Sequence, residues 1–149
     1  MPSTIKVFVE NEAGSSQKNI FDEKSLQFKK SVTVSRPYPY PYGFILNTTG
    51  GDGDNVDCFI ITDQKLKTGE TVECKAIGMM LQKEDDKEDN NILAVLESKK
   101  DVVLTDSIRS RLTNFITHVF DHRKDKIVEV GEFLDKNSAK EYIRKHLNS

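Results

Sequence analysis

Long apolar runs are missing from this chain of 149 residues. No stretch approaches the ~18 consecutive apolar residues that a membrane-spanning helix needs, so no membrane partner is expected. A dominant charge is missing too. Lys and Arg number 22 against 24 Asp and Glu, a formal net charge of −2. Such a balance offers no bulk attraction to nucleic acid or to an anionic membrane. Cysteine is scarce: Cys58 and Cys74 form no C-x-x-C and no framework of bridges. The expectation is two reduced thiols, one in each of two strands, in a cytoplasmic protein. The segment Met1-Pro2-Ser3-Thr4-Ile5-Lys6 has no basic-then-apolar signal pattern, in keeping with that compartment. No internal repeat and no Pro/Gly/Ser linker divides the chain, which points to a single domain over residues 1–149. That length suffices to bury a core.

Several catalytic signatures are absent as well. Gly50-Gly51-Asp52-Gly53 is not followed by Gly-Lys-Ser/Thr, which excludes a P-loop. His118 and His122 stand four apart, a zinc-ligand spacing on a helix. Val119-Phe120-Asp121 between them lacks the Glu of H-E-x-x-H, so they read as ordinary helix histidines. Neither cysteine has a histidine nearby in sequence, which leaves no case for a thiol nucleophile.

What is present is a series of short strands followed by helices. Ile5–Glu10 alternates as a strand should, and Ser25–Val34 reads as one or two more. Asp57–Thr62 is almost continuously apolar, as a strand buried on both faces would be. Thr71–Leu81 alternates again, and Asn91–Leu96 returns after an acidic loop, predicting a hairpin. Five or more strands on short connections favour a small closed barrel. Thr105-Asp106 can cap a helix running to about His122, with Ile108, Leu112, Phe115 and Val119 on one face. Lys126–Phe133 reads as a last strand and Asp135–Leu147 as a last helix. The fold class is therefore α+β.

The chemistry concentrates in Gly51-Asp52-Gly53-Asp54-Asn55-Val56-Asp57-Cys58, where Asp52, Asp54 and Asp57 fall within six residues. Asp-Gly-Asp suits a turn rather than a helix or central strand. Three anions so close repel unless something cationic sits among them, and hard oxygen ligands suit Mg²⁺ or Mn²⁺. The stiff aromatic segment Tyr38-Pro39-Tyr40-Pro41-Tyr42-Gly43 delivers the chain into this turn. Together the two segments resemble the soluble family I inorganic pyrophosphatases, whose signature is Asp-x-Asp-Pro-x-Asp preceded by Tyr-Pro-x-x-Tyr-Gly. Asn55 stands where that family has proline.

The resemblance implies a five-stranded OB-like barrel flanked by two C-terminal helices, and Mg²⁺-dependent hydrolysis of pyrophosphate. It further implies that Asp52, Asp57 and Asp89 bind the metal that activates water, with Asp57 bridging to a second metal. Asp54 would take the proton of that water, and Tyr42 would join the hydrogen-bond network. In the loop Lys83–Asn90, Glu84 and Asp89 are five residues apart, as the family's second acid pair is. Asp85 or Asp86 are alternatives to Glu84. Glu10, Gly14, Ser15 and Lys18 match another family pattern, making Glu10 a further acid at the metal site and Lys18 a phosphate ligand. Lys124 matches the lysine of Phe-Glu-His-Tyr-Lys.

Four departures stand out in the family pattern. Ile20 replaces a glutamate, Lys30 an arginine, Asn91 a lysine and Arg123 a tyrosine. Lysine keeps the charge of arginine but not its bidentate fork. Arg123 or Arg36 would then supply a guanidinium, with Lys18, Lys30, Arg123 and Lys124 forming a cationic wall opposite the acids. The departures also raise the alternative of a weakened or repurposed metal- and phosphate-binding member. A third reading, an OB-like domain stacking bases on Tyr38, Tyr40 and Tyr42, needs a basic groove, which the acid clusters oppose. Family members commonly form homo-oligomers.

Overall fold

The computed structural model describes residues 4–50, 53–99 and 102–148. Its strands are β1 (Ile5–Asn11), β2 (Gln17–Phe21), β3 (Phe28–Thr33), β4 (Tyr42–Ile45), β5 (Asp57–Ile60), β6 (Thr71–Glu84), β7 (Lys87–Glu88) and β8 (Asn91–Leu96). Helix α1 (Asp106–His118), strand β9 (Val128–Leu134) and helix α2 (Lys136–His146) follow.

Strand β1 pairs with both β4 and β6, so the order β1-β4-β5-β8-β6 closes on itself. The result is the expected five-stranded barrel, mixed because β5 and β8 run parallel. Closure leaves those five strands without an open edge. β6 is long enough, at 14 residues, to serve four partners along its length. Its start pairs with β1, its middle with β8, and its end with β9 and β7.

The apolar run of β5 and β8 has a direct cause. Cys58, Ile60, Ile92 and Ala94 point into the barrel core, while Phe59, Leu93 and Val95 pack under α1. Both faces are buried, so alternation disappears. Each large side chain so buried stabilises the fold by ~1.5–3 kcal/mol. Ala139 and Ile143 of α2 join the barrel core, and Leu112, Phe115 and Ile116 of α1 form the outer one. Cys58 and Cys74 lie buried and free in β5 and β6, as expected.

Three boundaries differ from the sequence reading. Of the one or two strands expected over Ser25–Val34, one forms, β3, starting only at Phe28, and it pairs in a separate hairpin with β2, which was not expected. Leu26 sits before β3 at φ 61°, its N–H donating to Asp22 O at 2.7 Å. β2 was not legible because its hold on β1 is polar: Asn19 N–H donates to Asn11 Oδ1 at 2.7 Å and Asn19 Nδ2 to the Glu10 carbonyl at 2.9 Å. Helix α1 stops at His118 rather than His122. There Ser35 N–H takes the Val119 carbonyl at 2.9 Å, and Ser35 Oγ accepts from His122 N–H at 3.0 Å.

Candidate active site

Four segments deliver acids to one place. Glu10 is the penultimate residue of β1, Asp54 lies in the loop before β5, Asp57 opens β5, and Asp89 precedes β8. The parallel register sets Asp57 beside Asn91. Glu10 is buried, and its carboxyl is pushed up to about 8. Burial is the main cause, and the nearby Glu23 and Asp54 charges add to it while Lys18 opposes them. Tyr42 is raised well above its ordinary value by burial first, then by Asp57, Asp89, Tyr38 and Glu10. Tyr38 shifts the same way, through burial, Glu10 and Asp57. Glu10, Asp57 and Asp89 thus act on these two tyrosines, and Asp54 joins the group through Glu10.

Those tyrosines rest on an aromatic floor. Tyr38 and Tyr42 rings lie 5.5 Å apart, Tyr42 is 4.8 Å from Phe59, and Tyr38 is 4.6 Å from Phe115 of α1. Beside this floor a cleft is lined by Lys18, Tyr38, Tyr42, Glu84, Asp89, Asn91 and Phe120, among others. Asp89 is positioned by Gln82, whose Nε2 donates to Asp89 Oδ2 at 3.4 Å and whose carbonyl accepts the Asp89 N–H at 2.9 Å. Gln82 in turn accepts from Asn91 Nδ2 at 2.5 Å. Asn91 Oδ1 is buried without a hydrogen-bond partner.

Glu84 and its alternatives separate clearly. Asp85 and Asp86, at φ 52° and 66°, form the two-residue turn between Glu84 and Lys87. The Asp85 carboxylate accepts from Ile127 N–H at 2.9 Å. Glu84, not Asp85 or Asp86, lines the cleft. Asp52 lies outside the described residues.

The cations are arranged differently from the expected wall. Lys18 on β2 reaches the cleft with Nζ 5.2 Å from the Phe120 ring centroid. Lys30 is exposed on β3, opposite Ile20, in a register that puts it on the same face as Lys18. Lys124 is exposed in the turn after α1. Arg123 is gripped by Asp125, Nε to Oδ1 at 3.2 Å and Nη2 to Oδ2 at 2.7 Å, with its side chain 44% exposed. It lies near Asp85 and Glu84, but its guanidinium is already committed, so this arrangement does not support the compensating role expected of it. Arg36 pairs with Asp121 at 3.8 Å. His118 bonds Asp121 at 2.8 Å and His122 bonds Ser35 Oγ at 2.7 Å, separate partners that make no zinc pair.

Two residues at the site escaped the sequence reading. Glu23 Oε1 accepts from Asn55 N–H at 2.8 Å, a donor that the proline of the family signature would lack. Lys126 Nζ bonds Glu84 and lies 4.6 Å from the Phe120 ring centroid. The one sequence signal for Glu23 was Asn55 itself; Lys126 had none.

Among the described residues, no three of His, Cys, Asp and Glu stand close enough to hold a metal ion. The charge pattern nonetheless fits a divalent cation. Burial, with Glu23 and Asp54 adding to it, holds Glu10 protonated near neutral pH, and a buried carbonyl oxygen of Asn91 lacks a donor beside Asp57.

Comparison with known proteins agrees. The model of the inorganic pyrophosphatase family matches residues 7–149. An inorganic pyrophosphatase of Saccharolobus solfataricus is 30% identical, over 97% of this chain and 90% of that one. One from Rickettsia prowazekii is 30% identical, over 86% and 81%. The crystal structure of an inorganic phosphatase from Anaplasma phagocytophilum superposes with a TM-score of 0.87 at 30% identity, covering 97% of this chain and 92% of that one. The barrel, the acids at its strand ends and these matches lead to one conclusion: this chain belongs to the inorganic pyrophosphatase family.

Proposed function

We infer that this chain is a single-domain inorganic pyrophosphatase, hydrolysing pyrophosphate to two phosphates with a divalent metal, Mg²⁺ or in its place Mn²⁺. The gathering of Glu10, Asp57 and Asp89 around Tyr38 and Tyr42, with Asp54 beside Glu10 and Lys18 lining the same cleft, carries this reading. Asp57, Asp89, Glu84 and Glu10, with Asp52, are the residues that would hold the metal. Such an ion, when bound, polarises phosphoryl oxygens and lowers the pKa of a bound water.

Asp54 would receive the proton of the attacking water on a carboxylate oxygen, as a general base. The water oxygen bonds to phosphorus as the bond from phosphorus to the bridging oxygen breaks, and the second phosphate departs with that oxygen. Lys18 neutralises the substrate, with Lys30 on the same face of the hairpin. Lys124 and Arg123 belong to the proposed substrate wall only if the exposed turn carrying them folds over the cleft. Tyr42 keeps its proton across the working pH range because burial and four neighbouring groups disfavour the phenolate. It therefore serves as a hydrogen-bond donor to anionic oxygen, not as a base. The floor of Phe59, Phe115 and Tyr38 limits water in the cleft.

Among the described residues no helix is long and apolar enough to cross a membrane. Two free buried thiols support a reducing, cytoplasmic setting. The family resemblance also supports assembly as a homo-oligomer, which light scattering would report. Phosphate release from pyrophosphate, with Mg²⁺, with Mn²⁺ and after chelation, tests the central reading. A folded protein that releases no phosphate with either metal would instead favour the repurposed metal- and phosphate-binding alternative.

A further inference from the structure

At the rim of the cleft, against its lining residues Glu84 and Phe120, stands Lys126, two residues beyond Lys124. Its side chain is 20% exposed. The Nζ bonds Glu84 Oε1 and stands 4.6 Å from the Phe120 ring centroid, while Lys18 Nζ stands 5.2 Å from the same centroid. Glu84, Phe120 and Lys18 line the cleft that also contains Asp89 and Asn91. Two ammonium groups therefore share one aromatic wall of the site. The family's lysine is missing at Asn91, and the arginine expected to compensate for it is engaged elsewhere. Asn91 is neutral and bonded to Gln82, and the Arg123 guanidinium is taken by Asp125.

A compact ammonium on a flexible stem can exchange one anionic oxygen for another with little rearrangement. A carboxylate oxygen and a phosphoryl oxygen are equivalent acceptors in that exchange. We propose that Lys126 is a substrate-binding residue whose ammonium passes from Glu84 to a terminal phosphoryl oxygen of pyrophosphate. It supplies the charge that Asn91 lacks, with Lys18 at the same Phe120 ring. The proposal rests on the pyrophosphatase reading above.

Lys126→Met keeps the stem over Phe120 and removes the charge. Loss of one charge-assisted hydrogen bond to phosphate raises KM for pyrophosphate by ~10–100-fold while kcat changes little. Calorimetry with inorganic phosphate at fixed Mg²⁺ shows a matching loss of affinity, and Lys126→Arg restores most of both. Phosphate affinity and KM both within ~2-fold of the parent overturn the proposal. So does a change confined to Mg²⁺ affinity, which would make Lys126 only the neutraliser of Glu84. Thermal unfolding checks the variant, and if Lys126→Met does not fold, Lys126→Gln, whose amide still donates to Glu84, takes its place with the same expectations. A parent protein that releases no phosphate overturns the pyrophosphatase reading and the proposal together. An active parent with an unaltered Lys126→Met overturns the proposal alone.

Discussion

Asp54 and Asp57 are three residues apart, yet their proposed tasks differ. Asp57→Asn retains shape and loses charge at a metal position, so titration of Mg²⁺ should show weakened binding along with lost turnover. Asp54→Asn removes a proton acceptor, and turnover should fall ~10²–10⁴-fold while Mg²⁺ affinity changes much less. Equal loss of metal by both variants would erase that division of labour. Glu10 offers a second test, in its pH dependence. With its carboxyl at about 8 in the fold against 4.5 ordinarily, the unfolded chain ionises first as pH rises. The metal-free protein should therefore lose stability between about pH 4.5 and 8, by up to a few kcal/mol on the order given by linkage. Urea unfolding in chelator at pH 5 and pH 8 should find Glu10→Gln nearly neutral at the lower pH and stabilising at the higher. A pH-independent effect would show that Glu10 does not titrate in this range.

At the scale of elements, the approach of β1 to β4 explains the glycine of the aromatic segment. A Cβ on Gly43 would lie 1.8 Å from the Phe8 carbonyl oxygen, a backbone atom with nowhere to go. Gly43→Ala should force the two strands apart and cost about 3 kcal/mol, read as a lowered urea midpoint. An unchanged midpoint would mean that the strands separate freely. Helix α2 depends on its first residue's neighbour: Asp135 accepts from Ser138 N–H at 2.9 Å, which lowers its pKa. A depressed carboxylate stabilises above its unfolded pKa and loses that contribution as pH falls through the folded one. Asp135→Ala should lower Tm at pH 7, and the difference from the parent should shrink toward pH 2. A difference that persists unchanged in acid would point to packing instead of the cap.

For the molecule as a whole, crowded acids at one end of a closed barrel make cation binding and folding one equilibrium. A metal held only by the folded state at ~100 times its Kd adds ~2.7 kcal/mol of stability. Calorimetric scans should show Tm rising with Mg²⁺ and dropping on chelation, with the rise reduced in Asp57→Asn. A Tm indifferent to Mg²⁺ would separate the acid cluster from metal binding.

Much of this was present in local pattern. Strands β1, β5, β6 and β8 were legible because alternation, or its loss in β5 and β8, directly records which faces are buried. The acids were legible because turn chemistry and motif spacing are local properties of Asp52–Asp57. Strand β3 was legible within Ser25–Val34, but its partner β2 was not, since β2 is mostly half-buried or exposed and its anchor is the polar Asn19–Asn11 contact. Which cation enters the cleft was beyond local pattern too. Arg123 and Lys126 are three apart, and only the turn after α1, with Asp125 on one side and Glu84 on the other, separates their fates. Sequence by itself determined the barrel and the chemical type of its site, because hydrophobic period and carboxylate spacing act within short segments. Tertiary structure alone decided the partners of each charge, because an ion pair is set by the distance between side chains that the chain brings together from far apart.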